Sequence, residues 1–183
     1  MDDFRSLADL LDLQEVDLQI DRLLQDRQSL PELEEYRKAH QTAEVAATAL
    51  ATAEQELRDT SLELDKTEGE LEMTTGRLDA EQNRLYAGGM SARDADYLRR
   101  EVEMLDRKRR EAEDRVLELM EEREQQEGRV ERLRAESEDA VTVKNALESV
   151  IKEAWKGIDG RLAIKEVRKA EIVPVIDEEL LEL

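Results

Sequence analysis

The sequence predicts an all-α protein: a long antiparallel coiled-coil helical hairpin with a kinked N-terminal helix. Three observations predict it. Of the 183 residues, 42% are charged and only 3% are aromatic, too few bulky side chains to fill the core of a compact domain of this length. Ala, Leu, Glu, Lys and Arg recur at helical spacing, the composition of long helices and coiled coils. Two leucine-led heptad rows flank one pair of adjacent glycines, Gly88 and Gly89. High charge with few aromatics also describes disordered chains, but regular leucine spacing argues against disorder.

The N-terminal helix spans residues 1–30. Leu13, Val16, Ile20, Leu23 and Leu30 recur at helical steps and share one face. Pro31 breaks it. Ser29 followed by Glu32 resembles a capping box, with Pro early in the next first turn. The hairpin occupies 31–170. Its first arm carries Leu50, Leu57, Leu64, Leu71, Leu78 and Leu85 at intervals of seven. Small residues follow three positions on, at Ala53, Thr60, Thr67 and Thr74, and Tyr36, Ala39, Ala43 and Ala46 keep the phase upstream. This is a heptad seam.

The second arm repeats the pattern in opposite phase. Leu98, Leu105, Ala112, Leu119, Gln126, Leu133, Ala140 and Leu147 form one row. Val102, Arg109, Val116, Arg123, Val130, Ser137, Lys144 and Ile151 form the other. Pairing Leu85 with Leu98 brings Leu64 to Leu119 and Leu50 to Leu133, while Thr67 meets Val116 and Ala53 meets Val130. Small residues face β-branched ones, as volume matching asks. A shift of one heptad stays open. The tip falls at 86–92, with Tyr86, Gly88, Gly89, Met90 and Ser91 as its candidate contact residues. Gly88 or Gly89 suits the left-handed C′ position. Ser91 suits the N-cap of the returning helix, with Asp94 in its first turn. The rival, a parallel dimer of one long helix, would bury two glycines mid-helix at about 1 kcal/mol each. Arg109, Arg123, Gln126 and Lys144 put polar groups in the seam, where they set register and snorkel outward.

Beyond Ile151 the pattern loosens around Trp155, Gly157, Gly160 and Pro174. Val173, preceding Pro174, is expected to be extended. Residues 171–183 read as a linker and the start of a helix capped by Asp177, and a helix just begun suggests that more protein follows.

Chemistry is sparse. There is no Cys and one His, His40, so neither a thiolate nor a His-based metal cluster can form. "AGGM" lacks the Lys and spacing of a phosphate loop, and a two-helix hairpin offers no water-excluding pocket. No catalytic residue, metal ligand or cofactor is expected in this chain, and no enzymatic activity. No 18-residue apolar run is present and no signal pattern opens the chain, so a cytoplasmic protein without membrane contact is expected. The net charge of −20 repels polyanions unless basic residues are segregated. Two candidate basic patches stand out: Arg99, Arg100, Arg107, Lys108, Arg109 and Arg110, and Arg161, Lys165, Arg168 and Lys169. Each can contact phosphates or an acidic partner, or pair with local carboxylates at i,i+4.

Three stretches carry a family resemblance. "LLDLQEVDLQIDRLLQDRQSLPE", "LYAGGMSARDADYLRREVEMLDRKRREAEDRVLELMEE" and "VIDEELLEL" are similar, in order and spacing, to bacterial coiled-coil proteins with a C-terminal C4-type zinc ribbon. The resemblance implies zinc held by four ribbon cysteines, and an adaptor role in which members bind RNA, DNA or a sigma factor. This sequence ends before any cysteine, so no zinc ligand carries over to it. The expected function is a non-enzymatic adaptor that positions such a ribbon for nucleic-acid or transcription-factor binding. The alternatives are a structural spacer that homodimerises through its Leu-rich ends, and a holdase-like chaperone gripping clients with the hairpin tip.

Overall fold

A computed structural model describes the backbone of residues 2–176 and the side chains of residues 7–176. The elements run α1 (Asp2–Gln28), α2 (Pro31–Ala87), α3 (Ala92–Ile172) and a 3-10 turn, Val173–Val175. The hairpin fold expected from the sequence is the fold observed. The chain forms two compact units. One is Val45–Ser137; the other joins the stretches up to Glu44 and from Glu138 onward.

In the unit 45–137, α2 and α3 zip along the predicted seam. Leu64, Leu78, Leu98, Leu105, Leu119, Ala53 and Val130 are buried, as are Thr60 and Ser137. The remaining seam positions of this unit are half-buried, and none is exposed. Leu64 and Leu119 are the most deeply enclosed large side chains, at 2% and 1% exposure. Residues off the seam, such as Leu62 at 67% exposure, face outward.

Four ion pairs across the helices settle the register. Arg77 reaches Glu101 at 2.6 Å, Arg115 reaches Glu63 at 2.7 Å, Arg129 reaches Glu56 at 2.7 Å, and Arg134 reaches Glu54 at 3.0 Å. With Leu64 opposite Leu119, every one of these carboxylates lies within five residues of the point facing its arginine, about 7.5 Å along the axis. Sliding the arms by one heptad in either direction moves at least one pair to twelve residues, about 18 Å, beyond the reach of two side chains. The heptad shift that the sequence left open is thereby excluded.

The turn is made by both glycines: Gly88 has φ 70° and Gly89 φ 82°. Ser91 then caps α3. Its Oγ accepts the Asp94 N–H at 3.2 Å and donates to the Asp94 carboxylate at 2.7 Å.

In the second unit, α1 lies against the C-terminal part of α3 through two small clusters. Leu13 and Val16 pack with Ile172 and Ile176, and Leu23 packs with Ile158 and Leu162. Leu30 lies against the second cluster, so the break between α1 and α2 is anchored by burial. Pro31 has no N–H to give to α1 and suits the first position of α2.

Three expectations need correction. Ser29 does not form a capping box with Glu32: its Oγ donates to the Gln25 carbonyl at 2.8 Å, closing the end of α1. The region after Ile151 is continuous helix to Ile172, despite Gly157 and Gly160, because burial of Ile158, Leu162 and Ile172 outweighs the weak helix propensity of glycine. Val173 is not extended. It begins the 3-10 turn, and the extended residue is Ile176, with ψ 134°. The helix expected from Asp177 lies outside the described residues.

The glycines give a test with opposite signs. A Cβ would meet nothing within 4 Å at Gly88 or at Gly128, so only the backbone matters. Gly88→Ala should cost about 1 kcal/mol, since alanine resists a positive φ. Gly128→Ala, in the middle of α3, should stabilise by about 1 kcal/mol. Urea unfolding followed by circular dichroism measures both, and equal signs would contradict the turn.

Candidate interaction surfaces

A coiled coil consumes its apolar side chains in the seam, so its binding chemistry resides in what the seam leaves over. At the tip, Tyr86 and Tyr97 stand 84% and 71% exposed. Met90 is half-buried and lines a groove with Arg84, Gly88, Gly89 and Asp94. Ser91 is committed to its cap, and the two glycines to the turn. Of the five tip residues singled out in the sequence, Tyr86 and Met90 therefore retain contact capacity.

The first basic patch is half neutralised. Arg100 pairs with Asp96 at 3.0 Å, and Arg110 with Asp106 at 2.7 Å. Arg109 bridges Asp106 and Glu113, both at 3.0 Å. Arg99, Arg107 and Lys108 carry no carboxylate partner among the described residues. Spacing does not account for the split, because Arg99 also has Asp96 and Glu103, and Arg107 has Glu103 and Glu111, at i±3 or i±4.

The second patch divides by direction. Arg168 pairs with Glu171 at 3.4 Å and lies 4.0 Å from Asp12 of α1, and Lys169 pairs with Asp17 of α1 at 2.8 Å. Arg161 and Lys165 instead line a groove with Arg22 of α1. Sequence reasoning missed Arg22, since only the antiparallel placement of α1 brings it there.

Trp155 was also missed as a structural anchor. Its Nε1 donates to the Arg27 carbonyl at 3.1 Å, filling an acceptor that the end of α1 leaves open. The Arg27 guanidinium stands 5.4 Å from the ring centroid and 3.3 Å from the Asp159 carboxylate. Each contact is modest alone, but together they hold the last turn of α1 against α3.

Polar seam residues behave as snorkelling groups. Arg109 turns to carboxylates of its own helix, and the Gln126 Nε2 donates to Glu122 at 3.2 Å. His40 is exposed, stacks on Tyr36 at 6.0 Å and lies 3.5 Å from Glu44. Perturbed titrations belong to surface ion pairs. The Arg115 guanidinium is pushed up by its hydrogen bonds to Glu63 and then Glu118. Glu148 is held below its ordinary range by a hydrogen bond from Lys152, whose ammonium is raised in turn. Among the described residues no group of three His, Cys, Asp or Glu side chains is placed to hold a metal ion. No helix among them is long and apolar enough to cross a membrane.

The chain resembles known proteins over nearly all of its length. A family model described as a CT398-like coiled coil hairpin domain matches residues 13–183. A solved structure from Mycobacterium smegmatis is similar over 98% of this chain and 74% of its own, with TM-score 0.85 and 22% identity. The CT398 structure from Chlamydia trachomatis is similar over 98% and 75%, with TM-score 0.81 and 18% identity. The HP0958 protein from Helicobacter pylori is similar over 97% and 74%, with TM-score 0.63 and 20% identity. At these identities the likeness speaks for the fold. No curated protein matches the sequence.

Trp155, the only Trp, reports on α1. Leu23→Ala removes a buried side chain and should cost about 2–4 kcal/mol. Its emission should shift to the red in native buffer. Leu24→Ala, exposed, should leave the spectrum unchanged. An unmoved spectrum for Leu23→Ala would refute the packing of α1 on α3.

Proposed function

The chain belongs to the CT398-like coiled coil hairpin family, and on that premise we propose that it acts without catalysis, as a coiled-coil adaptor in bacterial gene regulation. It works in the cytoplasm. Its tip and helical faces bind partner proteins, a sigma factor among them, and a zinc ribbon following residue 183 contacts RNA or DNA. None of the 183 residues fits the role of zinc ligand in such a ribbon, since they include no cysteine and a single histidine. The ribbon's metal chemistry therefore belongs to other residues.

One observation carries the reading. Enclosed apolar side chains are spent on seams and on the contact of α1 with α3, while two tyrosines and a set of unpaired cations remain on the outside. Such surfaces suit contact with partners, which supports the adaptor reading. The net charge of −20 favours protein partners over polyanions for these residues, which is why nucleic-acid contact is assigned to the ribbon. A specific observation also favours the spacer reading: Leu7, Leu11 and Leu18 are exposed, at steps that place them on one outward face of α1. That face suits a homodimer.

Two proteins distinguish these readings: residues 1–183 alone, and the same chain carrying its zinc ribbon. Each is titrated against fluorescent single-stranded RNA and against a sigma factor, across a salt series. The adaptor reading predicts RNA binding only with the ribbon, and sigma-factor binding by both. Steeply salt-dependent RNA binding by residues 1–183 would overturn the assignment of nucleic-acid contact to the ribbon. Absence of both activities, with a dimer in sedimentation, would favour the spacer.

A further inference from the structure

The groove between α1 and the C-terminal part of α3 combines apolar and cationic side chains. It is lined by Gln19, Arg22, Leu23, Arg161, Ile164 and Lys165. Its floor is apolar: Leu23 is buried, and Ile164, at 68% exposure, has no cover. Three cations surround that floor. Other cations where these helices meet have found carboxylates, as Arg27 has with Asp159, Arg168 with Asp12 and Lys169 with Asp17. Arg22, Arg161 and Lys165 have none among the described residues. Arg161 only donates its Nε to the Gly157 carbonyl, at 3.4 Å. In a chain with 48 carboxylate residues against 28 Lys and Arg, these three cations from two helices converge on one groove without an ion-pair partner among the described residues.

We propose that this groove docks an acidic amphipathic helix from a partner protein. The proposal rests on the adaptor reading and names the chemistry of its partner. Two helices packed side by side leave a furrow that accepts a third, and a helix laid there presents anchors at i, i+3 and i+4. Apolar anchors cover Ile164 and the edge of Leu23. Asp or Glu on the flanks of the incoming helix pair with Arg22 on one wall and with Arg161 and Lys165 on the other. Charge complementarity selects this occupant. A second copy of the chain brings a further −20 to the encounter. A nucleic-acid backbone has no apolar face for Ile164, and three cations would give it only a shallow salt dependence.

The test uses a fluorescein-labelled synthetic helix with Leu at i, i+3 and i+4 and Glu on both flanks, titrated by anisotropy against the full chain. A scrambled peptide of the same composition is the control. Binding should weaken at least tenfold in Arg22→Glu/Arg161→Glu, whose sites are exposed on different helices. It should weaken about fivefold in Ile164→Ser, and should fall with added salt. Thermal melts of the variants should match the parent, because none of the three side chains is buried. Equal binding of the scrambled peptide, full binding by both variants, or preferential binding of polyuridine RNA at Arg22 and Arg161 would overturn the proposal. Sedimentation that shows a dimer dissolved by Ile164→Ser would overturn it too, giving the groove to a second copy. A sigma factor that still binds Arg22→Glu/Arg161→Glu in full would sink the groove while leaving the adaptor reading intact. Loss of every protein partner from the parent chain would sink that reading itself.

Discussion

Register between two antiparallel helices is the constraint on which the rest depends. In the unit 45–137 one alignment buries Leu64 against the row of Leu119 and also keeps four arginines within reach of carboxylates on the opposite helix. The apolar seam supplies most of the stabilisation. The exposed ion pairs add little each, but they discriminate, because the seam alone repeats every seven residues and would tolerate a slip of one heptad. Polar seam residues such as Arg109 and Gln126 act in the same direction, trading some stability for uniqueness.

A turn that closes such a hairpin needs backbone freedom at few positions. Gly88 and Gly89 supply it, and Ser91 starts the returning helix with a capping bond. At the α1–α2 break, the chain uses proline and burial. Pro31 ends one helix and starts the next, Leu30 is held by the cluster of Leu23, Ile158 and Leu162, and Trp155 takes the open carbonyl of Arg27. Apolar matter is thus concentrated in narrow contacts. What faces outward is charge, part of it paired, interspersed with exposed apolar side chains such as Leu62, Met73, Leu117 and Ile164, the tip tyrosines and the cations without partners.

The seam was legible because it is periodic. Positions assigned to it in α2 and α3 are buried or half-buried, polar ones included, since heptad spacing fixes the face whatever the residue. The misreadings came where periodicity meets a local signal. Ser29 bears the signature of an N-cap, yet it bonds back to Gln25, because a serine at a helix C-terminus can serve that end equally well. Two glycines and a thinner leucine pattern made the stretch after Ile151 look loose. Burial against α1, which no local window records, keeps it helical. For the same reason neither Trp155 nor Arg22 could be recognised: their partners are 128 and more residues away in sequence. Of the candidate binding residues, the sequence located the cations but not their pairing: Arg100, Arg109 and Arg110 pair within α3, while Arg168 and Lys169 reach carboxylates that α1 brings close.

Distance measurement by spin labels tests the account most directly, and the absence of cysteine makes labelling clean. Ala51→Cys and Arg132→Cys place labels at exposed sites on facing helices. The hairpin predicts a separation of about 10–25 Å, set by an interaxial distance of about 8–10 Å and two label arms. The signal should persist when labelled chains are diluted with unlabelled ones. A single unbent helix would hold the labels about 120 Å apart, and a short distance that vanished on dilution would mean pairing between molecules. Either result would contradict a chain that folds back on itself at Gly88 and Gly89.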